Sequence, residues 1–124
     1  MIATYPDRSF QVWDYRVSHG SLLIRSPKGP RFEHNIDLVF VGVDYLSIAT
    51  ILRGVALEQG SQEELAATGF AWIGSPGKVY ALTSANRRHL IAAAGCRVDE
   101  NDGDIFDTPS EFPRWGYPSS SIET

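Results

Sequence analysis

The hydrophobic and polar positions in the first half of the chain follow strand periods rather than helical ones. Residues 10–17 are rich in aromatic and β-branched side chains: Phe10, Val12, Trp13, Tyr15 and Val17. Residues 18–21 hold Gly20, which accepts a positive φ, and residues 22–25 are apolar up to Arg25. That is the signature of a β-hairpin. Pro27 and Pro30 end its second strand, because proline has no N–H to give an interior ladder. The most strand-like run is 35–48. Side chains alternate along a strand, so Ile36, Leu38 and Phe40 share one face while Asp37, Val39 and Val41 share the other. Gly42 interrupts the run, and a glycine inside a strand pattern marks a bulge or bend. Two strand segments, 35–41 and 43–48, are expected to meet there. A weaker strand is expected over 54–58.

The pattern then changes. Ser61 and Glu64 have capping-box spacing, two acids lie in the first turn, and Gly69 supplies a stop. These residues predict a helix near 61–69. A helix of about two turns does not stand alone in water, so Leu65 must dock on a sheet. Residues 70–73 and 79–83 flank Gly74, Ser75, Pro76, Gly77 and Lys78, and Pro76-Gly77 suits a type II turn between strands. Residues 84–94 read two ways. Their alanines favour helix. Arg87 and Arg88 would sit badly at a helix N-terminus, and the balance favours a strand pairing with 79–83 across a turn at Asn86. The expected fold class is α+β, mainly β: an antiparallel, strongly bent sheet or open barrel with one short helix near 61–69. Residues 1–118 are expected to form one globular domain, followed by a mobile tail over 119–124.

Composition narrows the class. The chain has 124 residues, 43% apolar and 21% charged, as in an ordinary globular domain. Cys96 is its only cysteine, so no intrachain disulfide forms, and a lone thiol fits a reducing compartment. The N-terminus lacks a basic segment followed by an apolar run, and no stretch approaches the ~18 apolar residues of a membrane span. A cytoplasmic protein without membrane contact is the expectation. Its acidity argues against nonspecific nucleic-acid binding, which depends on Lys and Arg neutralising phosphates.

The charge is unevenly spread. Residues 98–124 hold seven acids (Asp99, Glu100, Asp102, Asp104, Asp107, Glu111 and Glu123) against Arg114, whereas the first 97 residues hold eight acids and ten bases. Like charges this dense repel unless solvent, a cation or a basic partner offsets them. A calcium loop is a poor fit. With Gly103 at the sixth position of an EF-hand loop, Val98 takes the first and Pro109 the twelfth, where oxygen ligands are required. No metal or cofactor is expected. The remaining readings are a solvated acidic loop and a patch for a basic protein partner, where complementarity raises association rate and specificity.

Other chemistry is thin. Gly74 to Lys78 fails the Walker pattern, because two residues separate its glycines and Val79 follows the lysine. His19, His34 and His89 show no metal-ligand spacing. His89 and Cys96 are seven residues apart, which puts them on opposite faces of a strand or about 10 Å apart on a helix. Neither makes a local dyad, and Cys96 reads as a small buried hydrophobe. No catalytic residue is assigned. Trp115 and Tyr117, in a proline-flanked segment, either dock back on the sheet or anchor a partner. The expected function is therefore a small non-catalytic binding protein of inhibitor or immunity type. It would engage a basic protein through Asp99, Glu100, Asp102, Asp104, Asp107, Trp115 and Tyr117. The alternatives are a β-barrel that binds a small molecule among its aromatics, and an enzyme with a dispersed active site.

Overall fold

The structure, a computed structural model, describes residues 1–69 and 78–104. Strand β1 (Ala3–Arg16) leads through a 3-10 turn, Val17–His19, into β2 (Ser21–Ser26). Then follow β3 (Asn35–Val41), β4 (Tyr45–Ser47), β5 (Ile51–Gln59), the helix α1 (Gln62–Ala67), β6 (Lys78–Ser84), β7 (Arg87–Ala93) and β8 (Gly95–Asn101). The strands form one sheet in the order β4-β7-β6-β5-β1-β2-β3-β8. Every pairing is antiparallel.

The sheet bends where it was expected to. Its end strands β4 and β8 do not pair with each other, so no ladder closes it. They do continue the strands that flank the bend: β4 follows β3 after residues 42–44, and β8 follows β7 after Ala94. At this corner the Ala94 N–H donates to the carbonyls of Val41 (2.9 Å) and Gly42 (3.2 Å), and the Asp44 N–H to that of Ala92 (2.8 Å). The ladder turns the corner with one local irregularity. Gly42 has φ +64°, and a Cβ there would lie 2.8 Å from Ala94 Cβ, so both backbone conformation and space require glycine.

The bend wraps the sheet around one interior. Ile36, Leu38 and Phe40 point inward, as their alternation predicts, and meet Phe10, Leu22, Ile24, Leu52, Val55, Leu57, Tyr80, Leu82 and Ile91. Phe40 and Tyr80 pack edge to face with centroids 5.8 Å apart, a favoured geometry for ring quadrupoles. Helix α1 carries the expected capping box: Ser61 Oγ accepts from the Glu64 N–H (3.1 Å), and Glu64 Oε1 accepts from the Ser61 N–H (2.9 Å). It docks Leu65 against Val79 and Ala92, near the β4 end of the sheet.

Several boundaries differ from the sequence reading. The first strand begins at Ala3 rather than residue 10, and its pairing with β5 is irregular between Tyr5 and Ser9, which accommodates Pro6. Strand β5 is longer than 54–58 and passes through Gly54 at φ +69°. Residues 87–93 are strand, joined to β6 by a turn with Ala85 at φ +50° and Asn86 at φ +64°. Within the acidic stretch Asp99 and Glu100 belong to β8, and among the described residues only 102–104 are loop. The expected turn at Pro76-Gly77, strand at 70–73 and tail from 119 lie outside the described residues.

Candidate functional site

Strand alternation sets what the outer face of β2, β3 and β8 carries. Leu22 and Ile24 point inward, so Leu23 and Arg25 point outward; Asn35, Asp37 and Val39 do the same on β3. Register then places Arg25 opposite Asp37 and Asp37 opposite Asp99, one charged row across three strands. The next row is apolar on β2 and β3, with Leu23 opposite Val39 and Trp13 and Val41 packed against them, and carries Arg97 on β8.

The centre of the row is a buried ion pair. Arg25 Nε donates to Asp37 Oδ1 at 2.6 Å and Nη2 to Asp37 Oδ2 at 2.8 Å, and both residues are fully buried. Two parallel N–H···O bonds between a guanidinium and a carboxylate are the strongest form of such a pair. The Trp13 ring lies 5.3 Å from Arg25 Cζ. Asn101 joins the row to the chain that follows. Its Nδ2 donates to Asp37 Oδ2 at 2.8 Å and to Asp99 Oδ2 at 2.7 Å, while Arg97 Nη1 donates to Asp99 Oδ1 at 3.2 Å. Asn101 Oδ1 accepts from Asn35 Nδ2 (2.9 Å) and from the Gly103 N–H (3.1 Å). Asn35 Nδ2 also donates to the Gly103 carbonyl at 2.8 Å, and the Asn35 Oδ1 accepts from the Lys28 N–H at 2.8 Å. Arg25 Nη1 reaches the Asp104 carbonyl at 3.5 Å. Residues 101–104 are thus fastened to buried polar groups on β2 and β3. A cavity of about 150 Å³ lies between Trp13, Arg25, Lys28, Asn35 and Asp104.

An acidic rim borders this support; Glu100, opposite the inward-pointing Ile36, projects to the other face of the sheet from Asp99. Glu100, Asp102, Asp104 and Glu33 are exposed, with the Glu33 side chain 93% accessible. His34 lies among them. Its Nδ1 bonds the Asp102 carboxylate, and Glu33 approaches its Nε2 at 3.9 Å. The hydrogen bond with Asp102 raises the His34 pKa above 6.5, and the charges of Glu100 and Glu33 add to the effect. Lys28 Nζ donates to the Asp102 carbonyl.

Of the residues singled out in the sequence, Asp99 is drawn into the network, while Glu100, Asp102 and Asp104 lie on the rim. Asp107, Trp115 and Tyr117 lie outside the described residues. Sequence reasoning missed Arg25, Asp37, Asn35 and Asn101, which fasten the segment that bears Asp102 and Asp104. Their one signal was a charged residue inside each of the two most apolar strands.

Cys96 is half-buried rather than fully buried. It points inward opposite Phe40, and burial pushes its thiol up to about 12, so little thiolate exists at neutral pH. His89 Nδ1 accepts from the Ala49 N–H at 3.4 Å, on the other side of the corner. Among the described residues, no three His, Cys, Asp or Glu side chains converge where a metal ion could be held. No described helix is long and apolar enough to cross a membrane. Compared with known proteins, the chain matches no family model, no curated protein and no solved structure.

Proposed function

We propose that this protein is a small non-catalytic binding protein whose acidic rim, Glu33, Glu100, Asp102 and Asp104, engages a basic protein partner. One observation carries the reading: the chain bearing most of these acids is tied through Asn101 and Asn35 to the buried Arg25–Asp37 pair. A rim held this way loses little conformational freedom on binding, which lowers the entropy cost of association. Its charge would steer encounter with a cationic surface and discriminate against acidic ones. Lys28 and His34 offset part of the charge and direct Asp102. Inhibitor and immunity-type proteins are examples of such binders, an analogy of form alone. Binding of a small molecule among the interior aromatics has less support, since Phe10 and Phe40 are fully buried in the packed core.

The test is capture on immobilised protein from the native cell, beside a Glu33→Gln, Glu100→Gln, Asp102→Asn variant. A basic protein that the parent retains, the variant does not, and moderate salt elutes supports the proposal. Retention of the same proteins by both removes it.

A further inference from the structure

The eight arginines among the described residues divide into three groups. Arg8, Arg16, Arg25, Arg88 and Arg97 each donate to a carboxylate, carbonyl or hydroxyl oxygen. Arg31 lies over the Phe32 ring, and Arg53 and Arg87 are exposed and make no ion pair among the described residues. Yet the fold holds these two together. Ser84, at the end of β6, is buried; its hydroxyl donates to the Arg53 carbonyl at 3.0 Å, and Arg87 is its partner across the β6–β7 ladder.

Both arginines line one groove, the smaller of two adjoining cavities. These cavities, of about 320 and 230 Å³, share Arg53, Ser84 and Ala85. The larger is floored by small side chains, Thr4, Ala56 and Thr83, and bounded by Asn86; the smaller ends at Arg87 and His89. No carboxylate lines either one. The nearby acids Glu58 and Glu64 are both bound by Arg88. With Nδ1 accepting from Ala49, His89 carries its proton on Nε2 when neutral, as a further donor. Burial, and after it the charge of Arg87, lowers the His89 pKa, so the imidazole adds a hydrogen bond without a third charge at neutral pH.

We propose that this groove binds a phosphate monoester. Two guanidiniums and an imidazole N–H line the same cavity, and they suit a dianion with three acceptor oxygens better than a carboxylate with two. The adjoining larger cavity, which shares Arg53, Ser84 and Ala85, leaves room for the group that carries the phosphate. The site is separate from the acidic rim and does not rest on the reading of that rim.

The experiment is a titration of isotope-labelled protein with phenyl phosphate, followed by NMR, with benzoate as the carboxylate counterpart. Saturable shifts should centre on Arg53, Ser84, Ala85, Arg87 and the His89 ring. An Arg53→Gln, Arg87→Gln variant should bind about tenfold more weakly or worse, while Arg31→Gln, which removes one positive charge elsewhere, should bind as the parent does. The double variant's spectrum away from the groove reports that it is folded. Absence of localised shifts at ~10 mM phenyl phosphate, equal weakening by Arg31→Gln, or equal binding of benzoate would overturn the proposal.

Discussion

Asp37 and Asp99 stand opposite each other across β3 and β8, and the side-chain amide of Asn101 donates to both. Like charges directly opposite destabilise a sheet. Here Arg25, Arg97 and Asn101 offset them. Removing either support should therefore be costly. Arg25→Ala should destabilise by ~3–5 kcal/mol, because it leaves a buried carboxylate unpaired. Asn101→Ala should cost ~1–3 kcal/mol. Replacing Arg25 by Met together with Asp37 by Leu should cost less than Arg25→Ala alone, since no charge is then stranded. Urea unfolding of the variants measures all of these. A loss below ~1 kcal/mol for Arg25→Ala would mean that the pair does not support the face.

The helix cap is sensitive to acid. Glu64 accepts from the Ser61 backbone and from Arg88, and the Arg88 bond contributes most to lowering its pKa from 4.5 to about 2. A carboxylate with a depressed folded pKa stabilises above its unfolded value, and that contribution fades as pH falls through the folded one. The difference in stability between the parent and Glu64→Gln should thus shrink between about pH 4.5 and about pH 2. Solvent screens this exposed network, so the difference itself should be ~1 kcal/mol or less. Ser61→Ala should cost ~0.5–2 kcal/mol. Unfolding curves across this pH range read both effects.

The β6–β7 turn stores strain at Ala85, whose φ of +50° is disfavoured for a residue with a Cβ. Ala85→Gly should raise stability, by up to ~1 kcal/mol after the greater flexibility of the unfolded chain is counted. A lower melting temperature would show that the Ala85 methyl contributes more by contact than it costs in strain.

His34 reports on the rim. Its pKa should lie above 6.5, and Asp102→Asn should bring it back toward that value. A histidine with a raised folded pKa stabilises the fold fully below its unfolded value, and the contribution is lost as pH rises through the folded one. NMR titration of the His34 ring checks this. A His34 pKa at or below 6.5 would mean that Asp102 points elsewhere in solution.

The features legible in the sequence are local ones. The Gly20 turn, the Gly42 bend and the Ser61 capping box each depend on a few adjacent residues whose chemistry has one common solution. The cationic first turn, Arg87 and Arg88, steered residues 84–94 toward strand, and a ladder with β6 forms there. What escaped depends on distant pairing. The reach of β1 back to Ala3 rests on a β5 ladder that absorbs Pro6 through an irregularity. The charged row of Arg25, Asp37 and Asp99 exists only once the loop over 27–34 fixes the β2–β3 register and β8 returns beside β3. For the same reason Asp99 looked like a free surface charge, although Asn101 and Arg97 hold it.

The central claim is that the rim acts by charge on a basic partner. Its most direct test is the association rate of the captured partner, measured against ionic strength for the parent and for the Glu33→Gln, Glu100→Gln, Asp102→Asn variant. The account predicts slower association of the variant at low salt, by about tenfold or more, and convergence of the two rates as salt shortens the screening length toward ~3 Å near molar strength. Dissociation should change less than association. Equal association rates for the two proteins at low salt would contradict the account.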